Sequence, residues 1–312
     1  MKCLVTGGSG FIGSNLVDKL IEMSYDVIVI DDESATAHDQ FYYNPKAFYF
    51  KYDICDYINT KPLYNGVDYV FHLAAESRIQ PTIENPVGAV RTNTLGTATV
   101  LQCAREANVK RVMYSSTSSA YGLANTPPLK ENMPTDCLNP YSVSKVAGES
   151  LCKMYYDLFG LETIVFRYFN VYGPRQPMRG QYAPVIGLFL RQKDAGESLT
   201  IVGDGSQKRD FTHVNDVVKA NILAATTVFN INPPVGLSTH VLKPFGQIYN
   251  VGTGKNHSVL DLAKMISNNY TFIPDRLGEA KESLASNSKI REYFDWIPTV
   301  KLEDYIEEQL NG

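Results

Sequence analysis

Short apolar runs alternate with longer segments of helical periodicity through the first half of the chain. Most of the apolar runs are followed directly by glycine, serine or an acidic residue, and the longer segments repeat their apolar positions every three or four residues. This alternation predicts an α/β fold in which a parallel sheet carries helices on both faces. The predicted strands are residues 2–6, 26–30, 48–52, 69–75, 109–116 and 163–169, and the predicted helices are residues 14–23, 86–107 and 142–159.

The first predicted strand runs directly into a glycine-rich turn, G-G-S-G-F-I-G at residues 7–13. A strand, a glycine turn and a helix in this order can hold a pyrophosphate, because the glycines allow close backbone approach and the helix N-terminus faces the anion. The spacing differs from the common G-x-G-x-x-G fingerprint, and a glycine turn alone is often only a tight turn. Its position between strand and helix predicts a dinucleotide site.

The second predicted strand ends at Asp31, about 20 residues after the glycine turn, where an acid hydrogen-bonds the adenosine ribose. A carboxylate at this position would repel a 2′-phosphate, so NAD is favoured over NADP. His72 lies inside an apolar run, without carboxylates or cysteines beside it in sequence. We interpret it as a core or strand-end histidine.

A second motif opens the predicted helix 142–159. Asn139 suits the N-cap, Pro140 suits the first turn, and Tyr141 and Lys145 share one helical face. The free pKa of a phenol is about 10, and a nearby ammonium lowers it, so the pair can exchange a proton with a substrate. In isolation, however, a Tyr and a Lys at this spacing are common on surface helices.

Five motifs in chain order carry a specific resemblance. They are the glycine turn, Asp31, H-L-A-A at residues 72–75, S-S-T-S-S-A-Y-G at residues 115–122, and Y-x-x-x-K at residues 141–145. The chain resembles the extended short-chain dehydrogenases/reductases, in the branch of NAD-dependent nucleotide-sugar epimerases and dehydratases, and most of all the UDP-N-acetylglucosamine and UDP-glucose 4-epimerases.

The resemblance implies a Rossmann-like, doubly wound parallel sheet with a smaller C-terminal α/β substrate domain. The NAD-binding domain would comprise residues 1–167 and about 210–248, and the nucleotide-sugar domain about 168–209 and 249–312. The residues that the resemblance assigns to NAD are Gly7, Gly10, Phe11, Ile12, Gly13, Asp31, Asp53, Ile54, Leu73, Ala74, Ala75, Tyr141 and Lys145.

The same resemblance implies the catalytic roles. Tyr141 would remove the proton of the sugar 4-hydroxyl, Thr117 would hydrogen-bond the same oxygen, and Lys145 would bind the nicotinamide ribose and lower the pKa of Tyr141. Asn170, Arg209 and Arg276 would bind the substrate diphosphate, with residues 182–185 near the nucleobase. The substrate-binding residues are Thr117, Ser118, Tyr141, Asn170, Val185, Arg209, Arg276 and Ser283.

Ser283 falls at a position that gates the sugar C2 substituent in related enzymes. A serine is much smaller than the tyrosine that restricts some relatives to plain hexoses, so the resemblance implies that UDP-N-acetylglucosamine and UDP-N-acetylgalactosamine are interconverted. UDP-glucose and UDP-galactose would be further substrates.

Three alternatives stay open at this point. A 4,6-dehydratase would carry Asp-Glu directly after the catalytic Thr, where this chain has Ser118 and Ser119. A nucleotide-sugar decarboxylase would start from a uronic acid. A non-catalytic NAD-binding regulator would have no need for Thr117, Tyr141 and Lys145 together.

Composition narrows the class of partners. The 312 residues carry a net charge of -4 and 44% hydrophobic residues, which is typical of a soluble globular protein and argues against nucleic acid as the main partner. Five scattered cysteines without a C-x-x-C pair predict neither a disulfide framework nor a zinc site. Because a strand is expected from residue 2 and no long apolar run occurs, we expect no signal peptide and no membrane span. We expect a cytoplasmic location and, as in relatives, a homodimer.

Overall fold

The computed structural model describes residues 1–35, 40–178, 183–229, 244–274 and 281–311. The strands in these ranges are β1 (Lys2–Thr6), β2 (Asp26–Ile30), β3 (Phe48–Phe50), β4 (Tyr69–His72), β5 (Arg111–Thr117), β6 (Glu162–Tyr168), β7 (Val171–Tyr172), β8 (Leu199–Val202), β9 (Lys208–Arg209), β10 (Thr212–His213), β11 (Gln247–Val251), β12 (His257–Ser258) and β13 (Tyr270–Ile273). The α-helices are α1 (Phe11–Glu22), α2 (Tyr57–Thr60), α3 (Ile79–Glu84), α4 (Pro86–Val90), α5 (Thr97–Glu106), α6 (Pro140–Phe159), α7 (Val185–Asp194), α8 (Val214–Thr226), α9 (Val259–Ile266), α10 (Ser288–Phe294) and α11 (Leu302–Asn311). Short 3₁₀ turns occur at Lys61–Tyr64 and Ser118–Tyr121, and a π-helical turn occurs at Arg91–Gly96.

A seven-stranded parallel sheet forms the centre of the fold. Its strand order is β11-β6-β5-β4-β1-β2-β3, and every neighbouring pair is parallel. The strand order changes direction between β1 and β4, so the connections leave on opposite faces and open a crevice at the carboxyl ends. The predicted Rossmann-like, doubly wound sheet is confirmed.

Apolar side chains fill both faces of this sheet. On one face, α1 and α8 contribute Leu16 and Val217 to a cluster with Val5 of β1. On the other face, α5 contributes Leu101 to a cluster with Val70 of β4. Each such side chain stabilises the fold by about 1.5–3 kcal/mol on burial, so the two clusters together fix the sheet and its helices as one unit.

A separate apolar core holds the smaller C-terminal unit together. Phe189 of α7, Leu262 of α9 and Tyr305 of α11 pack on Ile201 of β8, which pairs in parallel with β13. This unit is the expected C-terminal α/β region. The domain boundaries stay a prediction; the one placed at about residue 248 falls inside β11, which continues in the central sheet to Val251.

Several predicted elements have different limits in the structure. The strands predicted at 48–52 and 69–75 end earlier, at Phe50 and His72, because the chain leaves the sheet there to line a cavity. The helix predicted at 86–107 is interrupted by the π turn Arg91–Gly96. His72 is buried, with its two ring nitrogens bonded to Thr6 and Thr97 at 2.7 and 2.9 Å, as expected of a core histidine. Among the helices of the described ranges, none is both long and apolar enough to cross a membrane.

Candidate active site

The carboxyl ends of the central strands surround a cavity of about 580 Å³, hereafter the first cavity. Open parallel sheets bind ligands at this edge, where the strand order reverses. Most of the residues predicted to bind the cofactor line this cavity. They are Gly7, Gly10, Phe11, Ile12, Gly13, Asp31, Ile54, Leu73, Ala74, Ala75, Tyr141 and Lys145.

The glycine turn forms a close-fitting cradle at the N-terminus of α1. Gly7 adopts a φ of +71°, and a Cβ on it would stand 2.7 Å from the backbone nitrogen of Ala74. A Cβ on Gly13 would stand 2.1 Å from the carbonyl oxygen of Gly7. Because only glycine fits these positions, the backbone and the positive end of α1 stay accessible to a diphosphate. The turn therefore fits a dinucleotide.

Asp31 lies at the end of β2 beside this turn. Its carboxylate accepts hydrogen bonds from the backbone N–H groups of Ser9 and Glu33, both at 2.9 Å. Burial raises the pKa of Asp31, and these two hydrogen bonds oppose the rise. The carboxylate is thus fixed at the cavity wall, where it can accept bonds from ribose hydroxyls and disfavours a phosphate.

Helix α6 presents Tyr141 and Lys145 to the first cavity. The helix starts with a capping box, in which Asn139 Oδ1 accepts from Ser142 N–H at 2.9 Å and Ser142 Oγ accepts from Asn139 N–H at 3.4 Å. Pro140 occupies its first turn. Capping and proline fix where the first turn begins, and therefore where Tyr141 points.

Both side chains of the pair are ionisable groups in a buried setting. The Lys145 ammonium lies 4.3 Å from the centroid of the Tyr114 ring, and burial lowers its pKa to about 7. Burial raises the pKa of Tyr141, whereas the hydroxyl of Thr117 and the charge of Arg78 lower it. That Lys145 also lowers the pKa of this phenol, as the sequence predicts, stays a prediction.

Thr117 ends β5 as a buried residue, and its hydroxyl also accepts a hydrogen bond from Ser119 N–H at 3.1 Å. Ser118 follows in the 3₁₀ turn and is partly exposed. The wall of the first cavity at this strand is formed by Ser115 and Ser116. Thr117 and Ser118 themselves line neither cavity, so the predicted hydroxyl cluster lies beside the first cavity, and the Thr117 hydroxyl interacts with the Tyr141 phenol.

A buried ion pair fastens α6 to the sheet behind the site. Arg167 of β6 donates to Glu149 of α6 at 2.7 and 2.9 Å, and Ser116 of β5 donates to the same carboxylate at 2.5 Å. All three side chains are buried. The bidentate pair locks α6, which carries Tyr141, to β6, and the bond from Ser116 ties the same carboxylate to β5, which carries Thr117.

A second cavity of about 330 Å³ adjoins the first and lies against the C-terminal unit. Asn170, Val185 and Arg209, which are predicted to bind the substrate, all line it. The Asn170 amide donates to the carbonyl of Asp210 at 2.9 Å, which orients it. The structure therefore brings together three predicted substrate residues that come from different parts of the chain.

The structure does not bring every predicted residue into a cavity. Asp53 is absent from the lining of the first cavity; its carboxylate pairs with Arg91 at 2.6 Å and accepts from Cys55 N–H at 2.8 Å. Ser283 also lies outside the lining of both cavities, and its backbone N–H donates to the carbonyl of Lys208 at 3.0 Å. Arg276 and Tyr182 lie outside the described residues.

Sequence reasoning missed Arg78 and the residue that fixes its segment, Asn93. Glu76 N–H donates to Asn93 Oδ1 at 2.8 Å, and the Asn93 amide donates to Ser144 Oγ of α6 at 2.9 Å. The signal was available, because the polar tripeptide 76–78 directly follows a central strand. No group of three or more His, Cys, Asp or Glu side chains able to hold a metal occurs in the part of the chain that the structure describes.

Comparisons with known proteins agree with this geometry. The model of the NAD dependent epimerase/dehydratase family matches residues 3–252. A putative UDP-glucose 4-epimerase of Methanocaldococcus jannaschii is 37% identical over 315 residues, covering 99% of this chain and 97% of that protein. A UDP-N-acetyl-alpha-D-glucosaminuronate decarboxylase of Bacillus cytotoxicus is 34% identical over 281 residues, covering 85% of this chain and 79% of that protein. The crystal structure of UDP-glucose 4-epimerase from Thermotoga maritima with UDP-glucose has a TM-score of 0.89 and 32% identity, covering 100% of this chain and 98% of that chain.

Proposed function

Because the chain is an enzyme of the NAD dependent epimerase/dehydratase family, we propose that it epimerises a UDP-sugar at C4 through a 4-keto intermediate. The position of the Tyr141 phenol carries this proposal. The phenol faces the first cavity, interacts with the Thr117 hydroxyl and lies beside Arg78, which lines both cavities. A base at this junction can reach a sugar whose nucleotide occupies the second cavity.

NAD, when bound, accepts a hydride from the sugar C4 and returns it. The glycine turn at residues 7–13 and Asp31 would hold its diphosphate and ribose. Tyr141 takes the proton of the 4-hydroxyl and later returns it, while Thr117 hydrogen-bonds the same oxygen. Lys145 of α6 would bind the nicotinamide ribose, and its lowered pKa lets it carry or release a proton near neutral pH.

The second cavity supports a nucleotide diphosphate as the other half of the substrate. Arg209 offers a planar fork of donors for phosphate oxygens, Asn170 offers an amide, and Val185 begins α7 at the cavity wall. The described lining of this cavity includes no carboxylate that would repel a diphosphate. We propose that Arg276 completes the diphosphate site.

For the sugar itself, we propose the UDP-N-acetylglucosamine/UDP-N-acetylgalactosamine pair, with UDP-glucose and UDP-galactose as further substrates. Ser283 is the residue on which this depends. Its backbone is bonded to Lys208, the neighbour of Arg209, and its hydroxyl is buried with no hydrogen-bond partner among the described residues. Because Ser283 lines neither cavity, we propose that a tyrosine at this position would extend into the sugar site, whereas the shorter serine does not.

The same residues bear on three alternatives. A 4,6-dehydratase needs an acid beside Thr117, and the positions that follow it are Ser118 and Ser119. A non-catalytic regulator would have no use for a partly buried tyrosine that interacts with Thr117. A decarboxylase acting on a uronic acid stays the second candidate, since one relative is named as such an enzyme.

Incubation with UDP-N-acetylglucosamine, UDP-N-acetylgalactosamine, UDP-glucose or UDP-glucuronic acid, followed by chromatography of the products, tests the reaction. We expect C4 epimers and no change in the nucleotide. A UDP-pentose from UDP-glucuronic acid as the only product would replace epimerisation by decarboxylation, and a 4-keto-6-deoxy product would replace it by dehydration.

A pair of variants tests the assignment of Ser283. Ser283→Tyr should suppress activity on the N-acetylated pair and spare activity on plain hexoses, because overfilling a packed site costs about 1–3 kcal/mol. Ser288→Tyr, at an exposed position that starts α10, is the matched control. Equal loss on both substrate classes, or a wild-type protein with no N-acetyl activity, would contradict the role of Ser283.

A further inference from the structure

Arg78 lies where the two cavities meet. Of the described residues, Arg78, Val171 and Pro184 line both cavities, and Arg78 is the charged member of this group. Tyr141 also lines the first cavity, and the charge of Arg78 lowers the pKa of its phenol. The guanidinium therefore faces the same cavity as the group that we assign to the proton transfer at C4.

This cation makes no ion pair within the described part of the chain, although Asp31, Asp32 and Glu76 line the same cavity. Its Nε is buried without a hydrogen-bond partner, and none of the ion pairs in the described ranges includes Arg78. Asp31, which lines the same cavity, is bonded to the backbone of Ser9 and Glu33. An arginine stays protonated when buried, and a buried cation without a partner is destabilising. Such a group is typical of a ligand-binding position.

The backbone around Arg78 is fixed against α6. Asn93 exchanges two hydrogen bonds with Glu76, at 2.8 and 3.0 Å, and donates a third to Ser144 at 2.9 Å. The carbonyl of Arg78 itself accepts from Thr82 N–H at 3.2 Å. Asn93 belongs to the π turn, a feature that often marks functional sites. These bonds tie the segment that carries Arg78 to α6, the helix that carries Tyr141.

We propose that Arg78 binds a carboxylate on the sugar, and that UDP-hexuronic acids are substrates of this site. The inference rests on the proposed 4-epimerisation, because Tyr141 then marks the position of C4. The ring carbons next to C4 are C3 and C5, and C5 carries C6. We assign the C5 side of the ring to Arg78, which places an anion at C6 beside the guanidinium. A guanidinium matches a carboxylate with two parallel hydrogen bonds. We assign the diphosphate, in contrast, to Asn170 and Arg209, which line the second cavity.

Charge pairing also bears on which product forms. With a ketone at C4, a hexuronate is a β-keto acid, which loses CO₂ when the C5–C6 electron pair moves towards the carbonyl and the C4 oxygen takes a proton. Loss of CO₂ removes the negative charge that Arg78 stabilises, so the ion pair opposes it. We therefore expect the hydride that left C4 to return to the other face, with no net oxidation and with the carboxylate retained.

The experiment compares one charged and two neutral substrates on the holoenzyme. Wild type, Arg78→Met, Arg78→Lys and the exposed control Arg291→Met on α10 are assayed with UDP-glucuronic acid, UDP-glucose and UDP-N-acetylglucosamine. Calorimetry with UDP-glucuronic acid and UDP-glucose gives Kd independently of turnover. Arg78→Met should raise Kd for UDP-glucuronic acid by roughly 30-fold or more and Kd for UDP-glucose by less than about 3-fold. Because the charge of Arg78 also lowers the pKa of Tyr141, kcat should fall on all three substrates, and kcat/KM should fall roughly 30-fold or more further for UDP-glucuronic acid than for the neutral sugars. Arg78→Lys should fall between wild type and Arg78→Met, and Arg291→Met should match wild type.

The outcomes separate this inference from the proposed function. Equal losses on charged and neutral substrates would assign Arg78 to the diphosphate or to folding and overturn the proposal. Epimerisation of UDP-glucose by a wild-type enzyme that neither binds nor converts UDP-glucuronic acid would also overturn it, while leaving the 4-epimerase in place. Formation of CO₂ and a UDP-pentose, with binding that depends on Arg78, would support the carboxylate site and replace epimerisation.

Discussion

At the scale of single residues, the chemistry depends on two ionisable side chains that one turn of α6 brings into the same cavity. Burial acts on them in opposite directions, since it raises the pKa of Tyr141 and lowers the pKa of Lys145 to about 7. In both cases it favours the neutral form. The polar groups that counteract burial at Tyr141 are Thr117 and Arg78.

Replacement of the phenol tests the proposed base. Tyr141→Phe should lower kcat by about 10²–10⁴-fold, the usual contribution of a positioned proton-transfer group, with NAD content unchanged. Tyr57→Phe, on a tyrosine bonded to Glu106 at 2.5 Å outside the site, serves as the control. Steady-state rates near wild type for Tyr141→Phe would mean that another group removes the proton.

Lys145 should make stability depend on pH in a specific window. Its pKa is lower in the folded chain than in the unfolded chain, so the unfolded chain binds more protons between about pH 7 and about pH 10 and stability from this group rises with pH there. Below pH 7 the folded chain must bury the charged form of Lys145, and the resulting loss of folding stability is at its maximum. Lys145→Met should therefore increase the free energy of unfolding of the NAD-depleted protein at pH 6.5 relative to pH 9.5, by more than about 1 kcal/mol. Denaturant titrations at both pH values measure this, and a difference of zero would place Lys145 in a solvated setting.

At the scale of elements, the site is made by the ends of strands and the starts of helices. The turn after β1, the end of β5 and the first turn of α6 each contribute one part of it. The positions of these ends are fixed by local devices, a left-handed glycine at residue 7 and a capping box at Asn139. Function therefore depends on backbone geometry at these few points.

A substitution in the glycine turn before α1 tests whether this turn holds NAD. Gly13→Ala places a Cβ 2.1 Å from the carbonyl of Gly7, a contact that only backbone movement can relieve. We expect loss of most bound NAD in the purified protein. Gly66→Ala, at a φ of +71° with no atom within 4 Å of the added Cβ, reproduces a strained glycine substitution without the clash and should retain NAD. Absorbance and chromatography of cofactor released on denaturation measure both, and full NAD in Gly13→Ala would contradict the cradle.

Much of this edge could be predicted from the chain because its signals are local. The order strand, glycine turn and helix at residues 2–23 and the caps of α6 each specify their own geometry over a few residues. The role of Arg78 could not be predicted in the same way, because it depends on which cavities meet at that point and on which residues leave the guanidinium unpaired. Asp53 is predicted to bind the cofactor but does not line the first cavity. Its carboxylate pairs instead with Arg91, a residue that is distant in sequence.

At the scale of the whole molecule, two neighbouring helical segments expose apolar side chains. Val87 of α4 and Leu95 of the π turn are 78% and 54% exposed, and Val143 and Leu158 of α6 are 52% and 70% exposed. These segments pack against each other in the chain. Apolar side chains that are exposed in one copy are typical of an interface. Leu158 of α6 lies outside the core, whereas Leu151 and Met154 of the same helix pack against it.

We predict a homodimer in which both segments pair with their copies in a four-helix interface. Sedimentation at micromolar protein should give the dimer mass, and Leu158→Asp combined with Val87→Asp should give a monomer, because buried unpaired charges disrupt an apolar interface. Ile58→Asp, at an 81% exposed position on α2, controls for a change in surface charge. A monomer mass for the wild-type protein would contradict the prediction.

The ion pair between Arg167 and Glu149 has a consequence for how the enzyme responds to its medium. Both side chains are shielded from solvent, so mobile salt ions cannot enter between them. The attachment of α6 to the sheet, and with it the distance from Tyr141 to Thr117, should be the same in dilute buffer and at high ionic strength. Exposed pairs such as Lys153–Asp157 weaken under the same conditions. Added salt should therefore weaken the capture of a charged substrate and leave the turnover of bound substrate unchanged.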